Sequence, residues 1–343
     1  MRLFVMKRDR NGVPHGWLLW TGLVLCLAAA FILNIALGPV SIPLPDILHA
    51  FLSSAKTVDS TIVLSIRLPV ALAGIIVGAG LGVSGAMFQA ILRNPLADPY
   101  ILGISAGAAL GAAVAQAFLL TSVPVSLAAF FGAIGAMTLV YLLSLSSGGS
   151  SPLYLILAGV AISALLGSIM SFVMLMSSSL QIRIYSIMLW IMGGIKETGW
   201  HELIFIGIVF MVLMALAIVT APYLDILSFG DEKASSLGVH VERTRLLSMV
   251  IASLLAGVAV YLSGIVGFVG LVVPHITRLI VGPSHRRLII VSSLGGAIFV
   301  LIADLIARTV LRPVVVPVGV ITSLIGAPFF LYLLLRTYRG YKF

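Results

Sequence analysis

The chain has 343 residues, 61% hydrophobic and only 9% charged, with mean hydropathy +1.21 and a formal net charge of +9. Soluble domains are about 45–50% apolar with about 25% charge, so this composition excludes a soluble globular domain and defines an all-α polytopic membrane protein, whose backbone must pair within helices wherever it meets lipid. The positive charge then reports topology rather than nucleic-acid binding, and a single cysteine, Cys26, excludes an internal disulfide and a cysteine-based metal cluster.

Residues 1–16 are polar and basic, with Arg2, Lys7, Arg8 and Arg10. The first predicted span is 17–37, with Trp17 and Trp20 suited to the interfacial belt. Its apolar run is too long for a signal peptide and lacks a small-residue cleavage site, and Leu25 is too large for a lipoprotein cleavage box before Cys26. The prolines at 39, 43 and 45 and the run SIPLPDILHAFLSS predict a short interfacial helix outside the membrane. Span two is placed at 67–92, where Gly74, Gly78 and Gly82 lie four apart and Gly85 follows, a stripe that lets another backbone come close in lipid. A polar turn, 93–99, is punctuated by Pro95 and Pro99. Span three, 100–120, repeats the device with Gly103, Gly107 and Gly111. Spans four and five are 123–145 and 153–178, joined by the loop 146–152. The segment 181–201 is too short and interrupted to cross and is read as re-entrant or interfacial. Spans six to ten are 203–221, 246–262, 266–280, 288–307 and 318–335, and 336–343 is the tail.

Ten spans within 17–335 place both termini on one side. With the termini go 93–99, 146–152, 222–245 and 277–287, and together these carry 14 of the 20 Lys and Arg against six on the other side. Positive charge is retained in the cytoplasm, so the richer side is cytoplasmic. The loop 222–245 then lies there too. It is an island of charge, with four of the eleven acids (Asp225, Asp231, Glu232, Glu242) beside Lys233, Arg243 and Arg245. Asp231–Leu237 reads as a short amphipathic helix stopped by Gly238, a residue suited to a left-handed C-cap. Composition alone makes it a solvated connector; the sharper reading is a docking helix for a cytoplasmic partner.

Four blocks carry a family resemblance: RLPVALAGIIVGAGLGVSGAMFQAILRNPLADPYILG (67–103), LSFGDEKASSLGVHVERTR (227–245), GFVGLVVPHITRLIVGPSHRRL (267–288) and ADLIARTVLRPVVVPVGVITSLIGAPFFLYLL (303–334). In composition, order and spacing they resemble permease subunits of the FecCD and BtuCD type, the membrane component of importers for ferric siderophores, haem and vitamin B12. The resemblance implies a type II importer in a bacterial cytoplasmic (inner) membrane: two permease subunits, identical or homologous, two cytoplasmic ATP-binding subunits, and an external substrate-binding protein. The chain has no GxxxxGK[ST] phosphate loop; it is read as no enzyme and as binding no cofactor, with ATP and Mg belonging to the partner subunit. A ferric siderophore is the expected cargo.

The same resemblance assigns residues. Gly230, Asp231, Glu232, Ala234, Leu237 and Gly238 match the motif that couples to the ATPase, with Lys233 and Ser235 at positions where the family varies. Arg67 and Arg308 match outer arginines that pair with acids on the binding protein. Val70 stands where a second arginine is common, and Arg312 is a candidate to compensate. Val314–Val316 replace a glutamate often found at the outer rim. Read without the resemblance, Arg67 and Arg308 are snorkelling side chains, and Arg308 is a candidate i,i+4 partner of Asp304.

Polar residues that could face a path are few: Gln89, Asn94, Gln116, Ser163, Ser168, Ser171 and Thr322. By resemblance span five and the loop before it line the path, with Ser151 and Pro152 as gate residues. The six histidines are scattered without metal-site spacing, His275 reads as structural, and the methionines at 170, 174, 176 and 188 read as packing or lipid-facing. The competing function is a proton- or sodium-coupled secondary transporter using Asp304, the one acid deep in an apolar segment. A pore would need a ring-forming charged or carbonyl motif, and none is present.

Overall fold

The structure is a computed structural model that describes residues 15–52, 57–118, 123–146, 151–176 and 181–339. The predicted 1–16 segment and the 336–343 tail fall largely outside the described residues, as does 147–150 of the loop before Ser151.

Helix is the local answer almost everywhere. The helices are α1 (His15–Ala36), α2 (Leu44–Leu52), α3 (Val58–Thr61), α4 (Leu68–Ile91), α5 (Ile104–Ala117), α6 (Val125–Ser146), α7 (Pro152–Met176), α8 (Gln181–Ile191), α9 (Trp200–Leu227), α10 (Asp231–Ser236), α11 (Val241–Ser263), α12 (Val269–Val281), α13 (His285–Thr309) and α14 (Val318–Arg339). Among the described residues there are seven helices long and apolar enough to cross a membrane, and three shorter apolar ones at Ile104–Ala117, Val269–Val281 and Val318–Leu333. These ten fall on the ten predicted spans. α8 is the short helix expected before span six.

Three boundaries differ from the sequence reading, the simplest being α11, which begins at Val241 rather than 246 and so shortens the polar loop. Span two does not begin at Arg67: helix runs unbroken from Val58, opened by a capping box in which Thr57 and Ser60 serve each other's backbone N–H. Between α3 and α4 it is wound as a π-helix over Ile62–Arg67, and the Leu68 N–H reaches back to the Val63 carbonyl. Pro69 follows directly, has no N–H, and would press its ring on the carbonyl four residues earlier; a widened turn accommodates it. α9 likewise passes through Pro222 to Leu227, so the polar loop starts later than residue 222.

α4 is the axis of the fold. All but a few of its residues are buried, and α1, α9, α11, α12 and α13 pack on it. The glycine stripe explains how. A Cβ at Gly78 would overlap the carbonyl of Gly296 on α13, one at Gly82 the carbonyl of Ser292, and one at Gly85 the carbonyl of Gly270 on α12. α5 and α6 meet the same way, through Gly107 against Gly132 and Gly111 against Ala128. α5, α6 and α7 form a second group that joins the first through α6 and α11. α7 is the contrast, with only Leu155, Gly159, Ile162 and Leu166 buried and Leu153, Leu157, Val160 and Phe172 exposed. A helix apolar on every side with so little covering is a lipid or subunit surface.

The segment after α8 folds back onto the bundle. Gly194 N–H donates to the Ser263 carbonyl at 2.7 Å, Lys196 N–H to that of Leu262 at 3.1 Å, and Gly319 N–H to that of Gly193 at 3.4 Å. The segment 181–201, expected to be re-entrant or interfacial, is thus tied to the ends of α11 and α14.

Gly78→Val is expected to destabilise the fold by at least about 3 kcal/mol, the upper range for overpacking, because the contact it meets is backbone. Gly135→Ala, whose Cβ meets nothing within 4 Å, serves as the control. Thermal unfolding in detergent checks this; equal melting of the two variants would contradict the packing described.

Candidate functional site

The charged loop is built by two glycines with positive φ, Gly230 at 110° and Gly238 at 80°, a region L side chains rarely adopt. Between them lies the six-residue helix α10. Its end is a Schellman motif: Gly238 N–H donates to the Ser235 carbonyl at 2.9 Å and Val239 N–H to that of Ala234 at 3.1 Å. Gly238 thus stops the helix as the sequence predicts. Ala234 and Val239 are buried, while Glu232, Lys233, Ser235 and Ser236 are exposed. Leu237 and Phe229 are 64% and 65% exposed, an apolar pair beside the charges.

Asp231 faces the other way. Its Oδ1 accepts from Arg245 Nη2 at 2.7 Å and from Arg93 Nη2. Arg93 Nε also donates to the Leu227 carbonyl at 3.0 Å, and Arg245 lies 3.7 Å from Glu242. The Arg245 side chain is 2% exposed. Partial burial works against ionising Asp231, but the hydrogen bonds and charges of Arg245 and Arg93 outweigh it and hold the carboxyl below its ordinary value. One turn before the loop, Asp225 accepts from the His285 N–H at 2.8 Å and lies 2.6 Å from His285 Nδ1, tying the end of α9 to the start of α13. The turn after α4, the loop after α9 and the start of α13 therefore share one end of the molecule, as the charge distribution requires.

The opposite end holds the outer candidates. Arg67 is buried, 5% exposed. Its Nη1 donates to the Ile35 carbonyl at 2.7 Å and the Ala36 carbonyl at 3.0 Å, and its Nη2 to that of Val40. It closes the C-terminal end of α1, whose last carbonyls have no helical partner. The docking expectation for Arg67 meets a physical obstacle here, since its guanidinium is turned inward. Arg308 lies within α13 and pairs with Asp304, and Asn34 of α1 joins them: Asn34 Nδ2 donates to Asp304 Oδ2 at 3.0 Å and to the Leu301 carbonyl at 3.1 Å, and its Oδ1 accepts from Arg308. Asp304 is thus engaged in an internal pair. Of the three outer arginines, Arg312 is the exposed one.

Between these groups lies a cavity of about 730 Å³, lined in part by Arg67, Gln116, Trp190, Lys196, Asp304 and Arg308. Lys196 Nζ donates to Ser126 Oγ at 2.7 Å and sits 5.0 Å from the centre of the Trp190 ring. Burial lowers its pKa to about 8, with Glu202 opposing.

The gate candidates do not converge. Ser151 caps α7, its Oγ accepting from Tyr154 N–H at 3.4 Å, and Pro152 opens that helix. Ser163 packs beside Gly103. Gln89 is 2% exposed, and its amide reaches the Leu271 carbonyl of α12 at 3.3 Å. Gln89 is therefore inside the subunit rather than open to a path, because α12 closes over it. Sequence reasoning missed Asn34, Arg93 and Asp225 as partners. Each is an ordinary polar residue near a span end, and only the fold brings it to its charge. Among the described residues no group of His, Cys, Asp and Glu is placed to hold a metal.

A polytopic helical bundle with a charged, exposed loop helix at one end and a cavity at the other is the architecture of a transporter membrane subunit. The FecCD transport family matches residues 26–336. The cobalamin import permease BtuC of Halobacterium salinarum is 40% identical, with 94% of this chain and 81% of the relative covered. The iron(3+)-hydroxamate import permease FhuB of Bacillus subtilis is 38% identical, covering 92% and 82%. A solved transporter assigned to the metal-chelate type, in an inward-facing conformation, superposes with a TM-score of 0.82 at 30% identity, covering 93% of this chain and 99% of that one. The chain belongs to the FecCD transport family, the multi-pass permease subunits of type II ATP-binding-cassette importers. Membership implies ATPase and substrate-binding partners and a paired permease subunit.

Because Asp231 is held below its ordinary value of 3.8, its anchoring of α10 is present above that pH and is lost as pH falls through the lowered value. Hydrogen exchange of the α10 amides, corrected for intrinsic rates, is expected to stay flat through the neutral and mildly acidic range. Loss of protection at neutral pH would contradict the pairing.

Proposed function

We propose that the chain forms the membrane path for a ferric siderophore handed over by an outer binding protein and driven by an ATPase subunit that docks on α10. The observation that carries this reading is the two-sidedness of α10: Ala234 is buried and the half-exposed Asp231 turns its carboxyl to Arg93 and Arg245, while Glu232, Lys233 and Leu237, with Phe229 beside them, face outward at the charged end. An exposed apolar pair rimmed by charge is the composition of a protein contact. In the membrane orientation read from the lysine and arginine count, that end is cytoplasmic.

The cargo reading rests on different ground. The hydroxamate and cobalamin relatives both take bulky metal chelates by name. The cavity of about 730 Å³ lies within the range of roughly 300–1,000 Å³ usual for small-molecule sites. Its lining combines apolar side chains with the charged groups of Arg67, Lys196, Glu197, Asp304 and Arg308, a mixture that suits a chelate with both apolar and charged surface. At the outer rim, docking falls to Arg312, since Arg67 and Arg308 are committed to internal partners.

Three outcomes follow. Glu232→Arg is expected to abolish co-purification of an ATPase subunit from mild detergent while the chain still inserts; unchanged co-purification would count against the docking role. Arg312→Glu should slow association of the binding protein by about tenfold at low salt, measured by surface plasmon resonance, and a variant with the wild-type rate would remove Arg312 from the interface. Radiolabelled iron should enter cells as a hydroxamate chelate, and uptake of cobalamin or haem in its place would refute the siderophore assignment.

A further inference from the structure

The coupling motif contains two adjacent acids, and the structure gives them opposite directions. Glu232 is exposed. Asp231 is shared between Arg93, at the end of α4, and Arg245, one turn into α11. Arg93 is positioned by the turn itself, with φ at 48°, and its Nε holds the Leu227 carbonyl at the end of α9. Arg93 therefore touches both flanks of the loop helix, the last turn of α9 through a backbone acceptor and α10 through a carboxylate. Arg93 sits in the turn that directly follows α4, the helix against which α9, α11, α12 and α13 are packed, and the backbone contacts of α4 with α12 and α13 are too close for any side chain larger than glycine. A charge-assisted pair is short and directional, and a glycine-packed helix has little room to absorb movement locally.

We propose that Asp231, Arg93 and Arg245 form a strut, buried at Arg245 and open to solvent at Arg93, that passes movement of α10 to the ends of α4 and α11, with Arg93 and Arg245 as positioning residues for transport rather than partner contacts. This rests on the reading of α10 as the ATPase docking helix. It divides that motif into an outward half, which meets the partner, and an inward half, which transmits. The Asp225–His285 contact gives the end of α9 a separate hold on α13, so cutting the strut leaves the loop attached at its root.

The test uses the full importer complex, in a Cys26→Ser background, with a cysteine placed in the outer cavity by Gln116→Cys. The rate of labelling by an impermeant maleimide is measured with and without ATP. In the parent complex ATP is expected to change that rate. In Arg93→Gln the ATPase subunit still co-purifies, but the ratio of the two rates falls to unity, and Arg93→Lys restores part of the response. Asp231→Asn cuts the same link from the other side and covers a failure of Arg93→Gln to insert. Combined with Arg93→Gln it should lose no more than Asp231→Asn alone, since the Arg93 contact is already gone in that variant. A full ATP response in Arg93→Gln overturns the proposal. Loss of co-purification in that variant also overturns it, since Arg93 would then be a partner contact. A parent chain that purifies without an ATPase subunit, or shows no ATP response, defeats the docking reading itself.

Discussion

The constraint on which the structure depends is the contact of backbone with backbone along α4. In lipid, helices gain little from hiding apolar surface, because the tails are as apolar as the side chains. Association must come from close van der Waals fit, and glycine permits the closest. At Gly78, Gly82 and Gly85 the carbonyls of neighbouring helices lie where a Cβ would stand. This makes α4 an inner shaft rather than a lipid-facing span, and it leaves α7 with its apolar faces uncovered.

Charge is confined to the two ends, where it is paired with care. At one end Asp231 is held by two arginines and Asp225 by His285. At the other, Asp304, Arg308 and Asn34 close on one another, and Arg67 spends its donors on the end of α1. Such internal pairing is costly to leave incomplete. It separates these acids from the exposed charges at the two ends, such as Glu232, Lys233, Arg243 and Arg312, which have no part in those contacts. The internal pairing of Asp304 also fits a chain whose energy comes from an ATPase rather than from titrating an acid in the membrane.

Much of this was legible in the sequence for identifiable reasons. Span positions follow from hydropathy, which lipid enforces directly, and the glycine stripe on α4 is periodic. The stop at Gly238 follows from the left-handed backbone a Schellman motif needs. Arg308 at i+4 from Asp304 is a local relation, and sequence spacing contains it. The start of span two was not legible, because a π-turn before Pro69 lets the helix begin at Val58, well before the apolar run suggests. Arg67 looked like an outer docking residue because its position at a span end is shared by snorkelling and docking side chains. Nothing local reveals that the carbonyls of residues 35, 36 and 40 return to meet it. Gln89 looked like a path residue for a similar reason: a lone polar side chain in an apolar helix has a direction only once α12 is placed. Asn34 and Arg93 find their partners across 270 and 138 residues of chain, beyond the reach of any pattern in the sequence.

The most direct measurement is uptake of a ferric hydroxamate into proteoliposomes holding the complete importer with its binding protein. ATP is enclosed in one set, and a proton or sodium gradient is imposed across another that lacks ATP. Uptake should occur with ATP and no gradient, and fail with either gradient alone. Gradient-driven uptake without ATP would contradict this, moving Asp304 to the centre of the mechanism and reducing α10 to a solvated connector.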